Sequence, residues 1–218
     1  MAYDLEEQEQ LASLKAFWAQ YGNLLSWVLI IALAGYAGFN YWNYYQRNQA
    51  SEASGLYEQL NKSLGAKDNT KVQRIASDIE SKFGGSAYGP MAALMAARSA
   101  FDNKDAKTVK TQLQWAIDHG NDEYKSIAKL RLCGVLLDEK AYDEALKMLG
   151  TEFLPSFAGA VADRKGDVLV AQNKLAEARA AYQAALAAMD KKDPGRQLVE
   201  PKLEAIGGTP PVTPKAGA

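Results

Sequence analysis

The sequence predicts an all-α protein, with a single N-terminal transmembrane helix followed by a helical solenoid built from stacked pairs of helices. Three observations predict it. An uncharged apolar run, LLSWVLIIALAGYAGFNYW, occupies residues 24–42. Beyond residue 50 alanine is abundant and β-branched residues are sparse, which favours helix over strand. Over the same stretch, helix-forming segments and short polar turns alternate at a nearly constant interval.

The apolar run comes first. No charge lies between Lys15 and Arg47, and as helix the 19 residues from Leu24 to Trp42 rise roughly 28 Å, about the thickness of bilayer hydrocarbon. Trp27 at one end and Tyr41, Trp42, Tyr44 and Tyr45 at the other supply aromatic side chains suited to the two interfaces. Residues 1–23 form a short amphipathic segment with an acidic start, in which Leu11, Leu14, Phe17 and Trp18 recur at helical spacing. Ala32-Leu33-Ala34 has the small-x-small form of a signal cleavage site. However, Asp4, Glu6, Glu7 and Glu9 stand before it against Lys15 alone, the opposite of a signal peptide's positive start. Charge bias across the run leans toward a cytoplasmic C-terminal part, because Arg47 and Lys62 outnumber Lys15.

The rest of the chain is near neutral, with 24 basic and 22 acidic residues from Arg47 onward. That balance excludes nucleic acid as a partner on charge grounds. The 218 residues contain one cysteine, Cys133, so no intrachain disulfide forms.

Element by element, Ser51–Leu64 reads as a helix with Leu56, Leu60 and Leu64 in line. Val72–Phe83 follows and is stopped by Gly84-Gly85. Pro90 opens a helix that runs to Phe101. Further helices are expected at Lys107–Asp118, Tyr124–Leu137, Tyr142–Leu149, Phe157–Gln172, Leu175–Met189 and Gln197–Ile206. The tail from Gly207 is too rich in proline and glycine to bury a core and is expected to be disordered. The domain boundaries are therefore 1–23, 24–42, 47–206 and 207–218.

The interval is that of tetratricopeptide repeats, about 34 residues. Their steric template asks for a small residue on the first helix where the second crosses it, then an alanine twelve residues on. A large apolar residue follows four later, and a small one three beyond that. Gly166, Ala178, Tyr182 and Ala185 meet it in full. Cys133, Ala145 and Leu149 meet it one repeat earlier. Ala97, Val109, Leu113 and Ala116 meet it before that, with Val109 in place of the alanine. A right-handed solenoid of the tetratricopeptide-like kind follows, because a single helix pair cannot bury its own apolar face. Cys133 then reads as a small packing residue and Gly166 as a crossing point. On the first-helix surface, where such folds receive partners, Tyr88, Arg98, Arg131 and Arg164 are candidates.

Signals for chemistry are missing. The one histidine, His119, sits at a predicted helix C-terminus, where a surface imidazole suits the dipole. Asp163 and Asp167 lie one turn apart with Arg164 and Lys165 alongside, which reads as a solvated face. No phosphate loop, HExxH or triad pattern occurs, and no cofactor or metal is expected. The chain reads as a non-enzyme.

The acidic leader, the single span with its Tyr41-Trp42-Asn43 exit, the Arg131-Leu132 entry to the middle repeat, and the repeats at Ala97, Cys133 and Gly166 together resemble one family. It is the YfgM-like ancillary subunit of the bacterial SecYEG translocon, and the resemblance runs from about residue 4 to 190. The resemblance implies a single-pass inner-membrane protein with its N-terminus in the cytoplasm and its repeats in the periplasm, against the charge count. It implies association with the SecYEG translocon and with a PpiD-like periplasmic chaperone, and contact with nascent exported proteins. It carries over no catalytic residue. A scaffold or assembly role in another envelope complex, without client binding, is the alternative.

Overall fold

The computed structural model describes residues 3–210, with side chains described from residue 9 onward. The expected disordered tail lies, from residue 211, outside the described residues. The chain divides into two units, residues 1–52 and 53–218.

The first unit consists of most of one helix, α1, which spans Tyr3–Gly65 without interruption. The sequence placed three segments on this stretch, the leader, the span and Ser51–Leu64, and they join into one helix because no glycine pair or proline separates them. Its apolar window is almost wholly exposed. Leu24, Ile31 and Phe39 are each more than half exposed. A core helix of a water-soluble fold would bury such side chains, each worth about 1.5–3 kcal/mol. This helix is long and apolar enough to cross a bilayer.

The second unit starts with the last turns of α1 and continues through α2 (Asn69–Phe83), α3 (Tyr88–Asp102), α4 (Ala106–His119), α5 (Asp122–Asp138), α6 (Tyr142–Leu149), α7 (Ala158–Ala171), α8 (Leu175–Ala188) and α9 (Arg196–Ala205). Among the described residues there is no strand. Each helix ends within two or three residues of where the sequence put it. A short 3-10 turn, Pro155–Phe157, precedes α7, which begins one residue after the expected Phe157, because Pro155 takes the first position and Phe157 closes the turn onto Leu154.

One local device repeats four times and sets the solenoid's period. Lys67, Lys104, Lys140 and Asn173 all have φ between 56° and 62°, and each ends the first helix of a pair. At Lys104, for example, its own N–H donates to Phe101 and the Asp105 N–H donates to Ala100, both at 2.9 Å. The same paired bonds occur at the other three. This left-handed closure usually falls to glycine. Here it is made without one.

Counted from these turns, the packing positions fall into register. Seven residues before the turn stand Leu60, Ala97, Cys133 and Gly166, and five after it stand Val72, Val109, Ala145 and Ala178. All are buried. Nine after it stand Ala76, Leu113, Leu149 and Tyr182, also buried. The fourth slot holds Ile79, Ala116 and Ala185, all fully buried. In the third repeat it falls on Glu152, beyond the end of the short α6. The end of α1 with α2 is thus the first of four repeats, and α9 covers the last.

The cap is fastened by cations. The Arg196 guanidinium, 7 % exposed, donates to the carbonyls of Leu186 and Met189 at the end of α8. Arg179 of α8 donates through Nε to the Ile206 carbonyl at 2.7 Å. Each meets the negative end of a helix. Gly207, φ +77°, closes α9 by passing its N–H to Glu204 while Gly208 donates to Leu203.

Candidate functional site

The first helices of the second, third and fourth repeats are α3, α5 and α7, and a cleft of about 520 Å³ lies over them. Each helix sends one arginine into it, Arg98, Arg131 and Arg164 respectively. The sequence singled out these three, and the fold brings them together. Tyr88, named with them, is elsewhere: its ring packs against Tyr57 at 5.5 Å, beside the core of the first repeat.

The arginines differ in how they are held. Arg164 reaches Asp167 at 3.5 Å. Its guanidinium lies across α5 at Gly134, where a β-carbon would stand 3.7 Å from Nη1. Arg131 makes a long 3.4 Å bond to the Leu94 carbonyl. Among the described residues, no carboxylate lies within 4.0 Å of Arg98 or Arg131. Loss of water around the Arg131 guanidinium, and then the charge of Arg98, pull Arg131 below the ordinary arginine value. Two like charges therefore share the cleft, and among the described residues neither is in an ion pair within 4.0 Å.

The rest of the lining is apolar and acidic. Val109, Leu113 and Val135 make an apolar floor, and Phe101 stands over it 57 % exposed. Asp102 and Asp138 also line it, one turn of α3 past Arg98 and two turns of α5 past Arg131. Each is the last residue of its helix, α3 or α5. An acid there faces the negative end of the helix dipole, an arrangement that costs about 0.3–1 kcal/mol. Guanidinium, apolar and carboxylate groups share one lining, which among the described residues includes no Ser, Cys, Lys or His.

A second charged cluster corrects the sequence reading. Asp163 and Asp167 do not face open solvent but share the Lys202 ammonium of α9, at 2.8 Å each. The Tyr182 hydroxyl donates to Asp167 at 2.9 Å. Burial raises the Asp163 carboxyl, while its hydrogen bond to Lys202 opposes the shift. Lys202 rises through those same bonds in spite of its own burial. Two half-buried acids on one cation leave Asp163 the poorly served partner. The cluster joins α7, α8 and α9, which is a structural task. Proximity in sequence suggested the acids, but nothing pointed to a lysine about forty residues away.

His119 ends α4 as expected, and its ring stacks on Trp115 at 4.2 Å. Trp115 in turn fills the space over Gly89, where a β-carbon would collide with its ring, and stands 3.3 Å from the β-carbon position of Gly84. Glu80 is close by, its Oε1 buried without a hydrogen-bond partner and its carboxyl pushed up to about 7 by burial, against the His119 charge. Cys133 is fully buried, with its thiol 3.7 Å from the Ala145 carbonyl.

The tetratricopeptide repeat-like domain family matches residues 15–208 of the chain. A Neisseria gonorrhoeae protein named ancillary SecYEG translocon subunit is 32 % identical over 208 residues, 94 % of this chain and 100 % of that one. Proteins of the same name from Escherichia coli and Haemophilus influenzae are 30 % and 28 % identical. The first pairing covers 82 % of this chain and 86 % of the relative, the second 85 % and 91 %. No solved structure matches the chain.

Proposed function

This chain belongs to the ancillary SecYEG translocon subunit family, with its tetratricopeptide repeat-like domain, and on that premise we propose that it is a membrane-anchored adaptor at the Sec translocon. Its apolar α1 sits in the bacterial inner membrane as a single span, N-terminus in the cytoplasm. Its repeats stand in the periplasm, where they bind a PpiD-like chaperone and exported chains as these emerge. The observation that carries this reading is the likeness to relatives so named across almost the whole chain, span and repeats together. The physical division of labour agrees with it. The exposed apolar helix supplies the anchor, and the repeats supply a cleft equipped to bind.

Anchoring also relaxes what each contact must contribute. A domain confined beside the exit site meets its partners at high effective concentration, so weak contacts suffice. The protein carries no reaction in this account. It acts by holding one chain near another.

The test is affinity purification of the full-length tagged chain from membranes in mild detergent, with a photoreactive amino acid in place of Phe101. Recovery of translocon core subunits, and crosslinks from residue 101 to a translocation-arrested exported protein, are expected. Recovery of some other envelope complex, with no crosslink to the arrested chain, would favour the scaffold reading instead.

A further inference from the structure

The geometry points to an extended polypeptide segment as the occupant of the α3–α5–α7 cleft, one that places a carboxylate among Arg98, Arg131 and Arg164 and a large apolar side chain on the floor beside it. This deepens the adaptor reading and rests on it, since an adaptor needs a surface that receives a partner chain.

Charge complementarity selects the carboxylate. Arg98 and Arg131 share the cleft with no carboxylate within 4.0 Å among the described residues, so an incoming anion meets two guanidiniums that repel each other. Arginine offers a planar fork that matches a carboxylate with two parallel bonds. The third, Arg164, already leans on Asp167 and closes that end.

Long polyanions are disfavoured by the same lining. Asp102 and Asp138 line the same cleft, one turn of α3 past Arg98 and two turns of α5 past Arg131, so a second or third negative charge along the ligand would meet a carboxylate. Nucleic acid and an anionic lipid surface both present charge in rows. A polypeptide can present one acid, then an apolar residue, then a neutral or basic one. Asp138 lies seven positions along α5 from Arg131, roughly 10 Å of helix, which about three residues of extended chain span. The apolar component has its contact surface in the exposed Phe101 ring, with only the edges of the buried Val109, Leu113 and Val135 accessible beside it. Burying one large apolar side chain there adds binding without a rotamer-rich partner having to be ordered on the protein side.

The experiment is a selection from a random heptapeptide display library on the full-length chain in phosphatidylcholine nanodiscs, with empty nanodiscs and an Arg98→Ser/Arg131→Ser variant as counter-selections. Enriched peptides are expected to carry one Asp or Glu next to Leu, Phe or another large apolar residue. The best of them, labelled with fluorescein, is expected to lose at least tenfold in affinity when its acid becomes the amide. It is expected to lose as much on the Arg98→Ser variant or the double variant. Among the described residues the Arg98 side chain makes no hydrogen bond or ion pair, so the single variant keeps the test valid if the double variant misfolds. Enrichment of peptides without an acid, equal binding by the variants, or no enrichment over empty nanodiscs would each overturn the inference. The purified system contains no translocon, so failure here and failure of the co-purification above are separate results.

Discussion

The ring of Tyr182 lies on the face of α7 that Gly166 leaves bare, so closely that a β-carbon at 166 would stand 2.5 Å from Tyr182 Cδ1. The ring is held there from both ends. It is 3 % exposed in the core of the last repeat, and its hydroxyl donates to Asp167 one residue beyond the glycine. Any side chain at 166 must therefore displace the tyrosine, open the α7–α8 crossing and pull Asp167 from its partners. Gly166→Leu is expected to cost about 1–3 kcal/mol, and more if the Asp167 network is lost with it. Thermal unfolding of the full chain in detergent checks this, and an unchanged midpoint would contradict the crossing.

The four turns predict their own improvement. Asp68 and Asp105, each following the left-handed residue, accept from the backbone N–H groups of Lys71 and Thr108 at 3.0 and 3.1 Å. Ala141 and Lys174 occupy the same position with nearly the same φ and ψ, yet provide no side-chain cap. Ala141→Asp and Lys174→Asp should each stabilise the domain by about 1 kcal/mol. That is a rise of roughly 2–4 °C in Tm. No rise from either would contradict the equivalence of the four turns.

Glu80 makes stability depend on pH. Burial raises its carboxyl from 4.5 to about 7, so the folded chain binds this proton more tightly than the unfolded chain does. Stability should fall as pH rises from about 4.5 to 7, with the penalty complete above that window and absent below it. Glu80→Gln should therefore leave stability unchanged near pH 4 and increase it at pH 8. Urea titrations of both proteins at the two pH values check the sign. Equal stability at pH 8 would show that the carboxylate is ionised at no cost.

Cys133 is predicted to be inert in the folded state. Burial pushes its thiol up to about 11, although the charges of Arg164 and Lys129 work against the shift. A thiol reagent such as DTNB at pH 8 should react slowly with native protein and at once in denaturant. Fast stoichiometric reaction without denaturant would place the thiol outside the core.

Much of this architecture was legible in the sequence because it rests on residue size. Gly166, Ala178 and Ala185 announce a close helix crossing wherever they fall at the right interval, and the uncharged run to Trp42 announces its own length. The first repeat was harder to read. Leu60 and Val72 occupy slots where the pattern asks for small residues, and the turn that sets their register is a lysine in a conformation associated with glycine. The arginines of the cleft were legible as candidates because one falls on each first helix. Their convergence, and the presence of Asp102 and Asp138 in the same lining, depend on how the helices stack. The Lys202 link to Asp163 and Asp167 was out of reach, since its partners lie on different helices and no local spacing relates them.

The account's central claim is a repeat domain held outside the cytoplasm beside the membrane, and sidedness tests it most directly. Lys192 is exposed in the turn after α8. Lys192→Cys in a Cys133→Ala background, treated in intact spheroplasts with a membrane-impermeant maleimide, should be labelled without lysis. Labelling only after lysis, with a periplasmic control labelled throughout, would place the repeats in the cytoplasm and contradict the translocon-exit function.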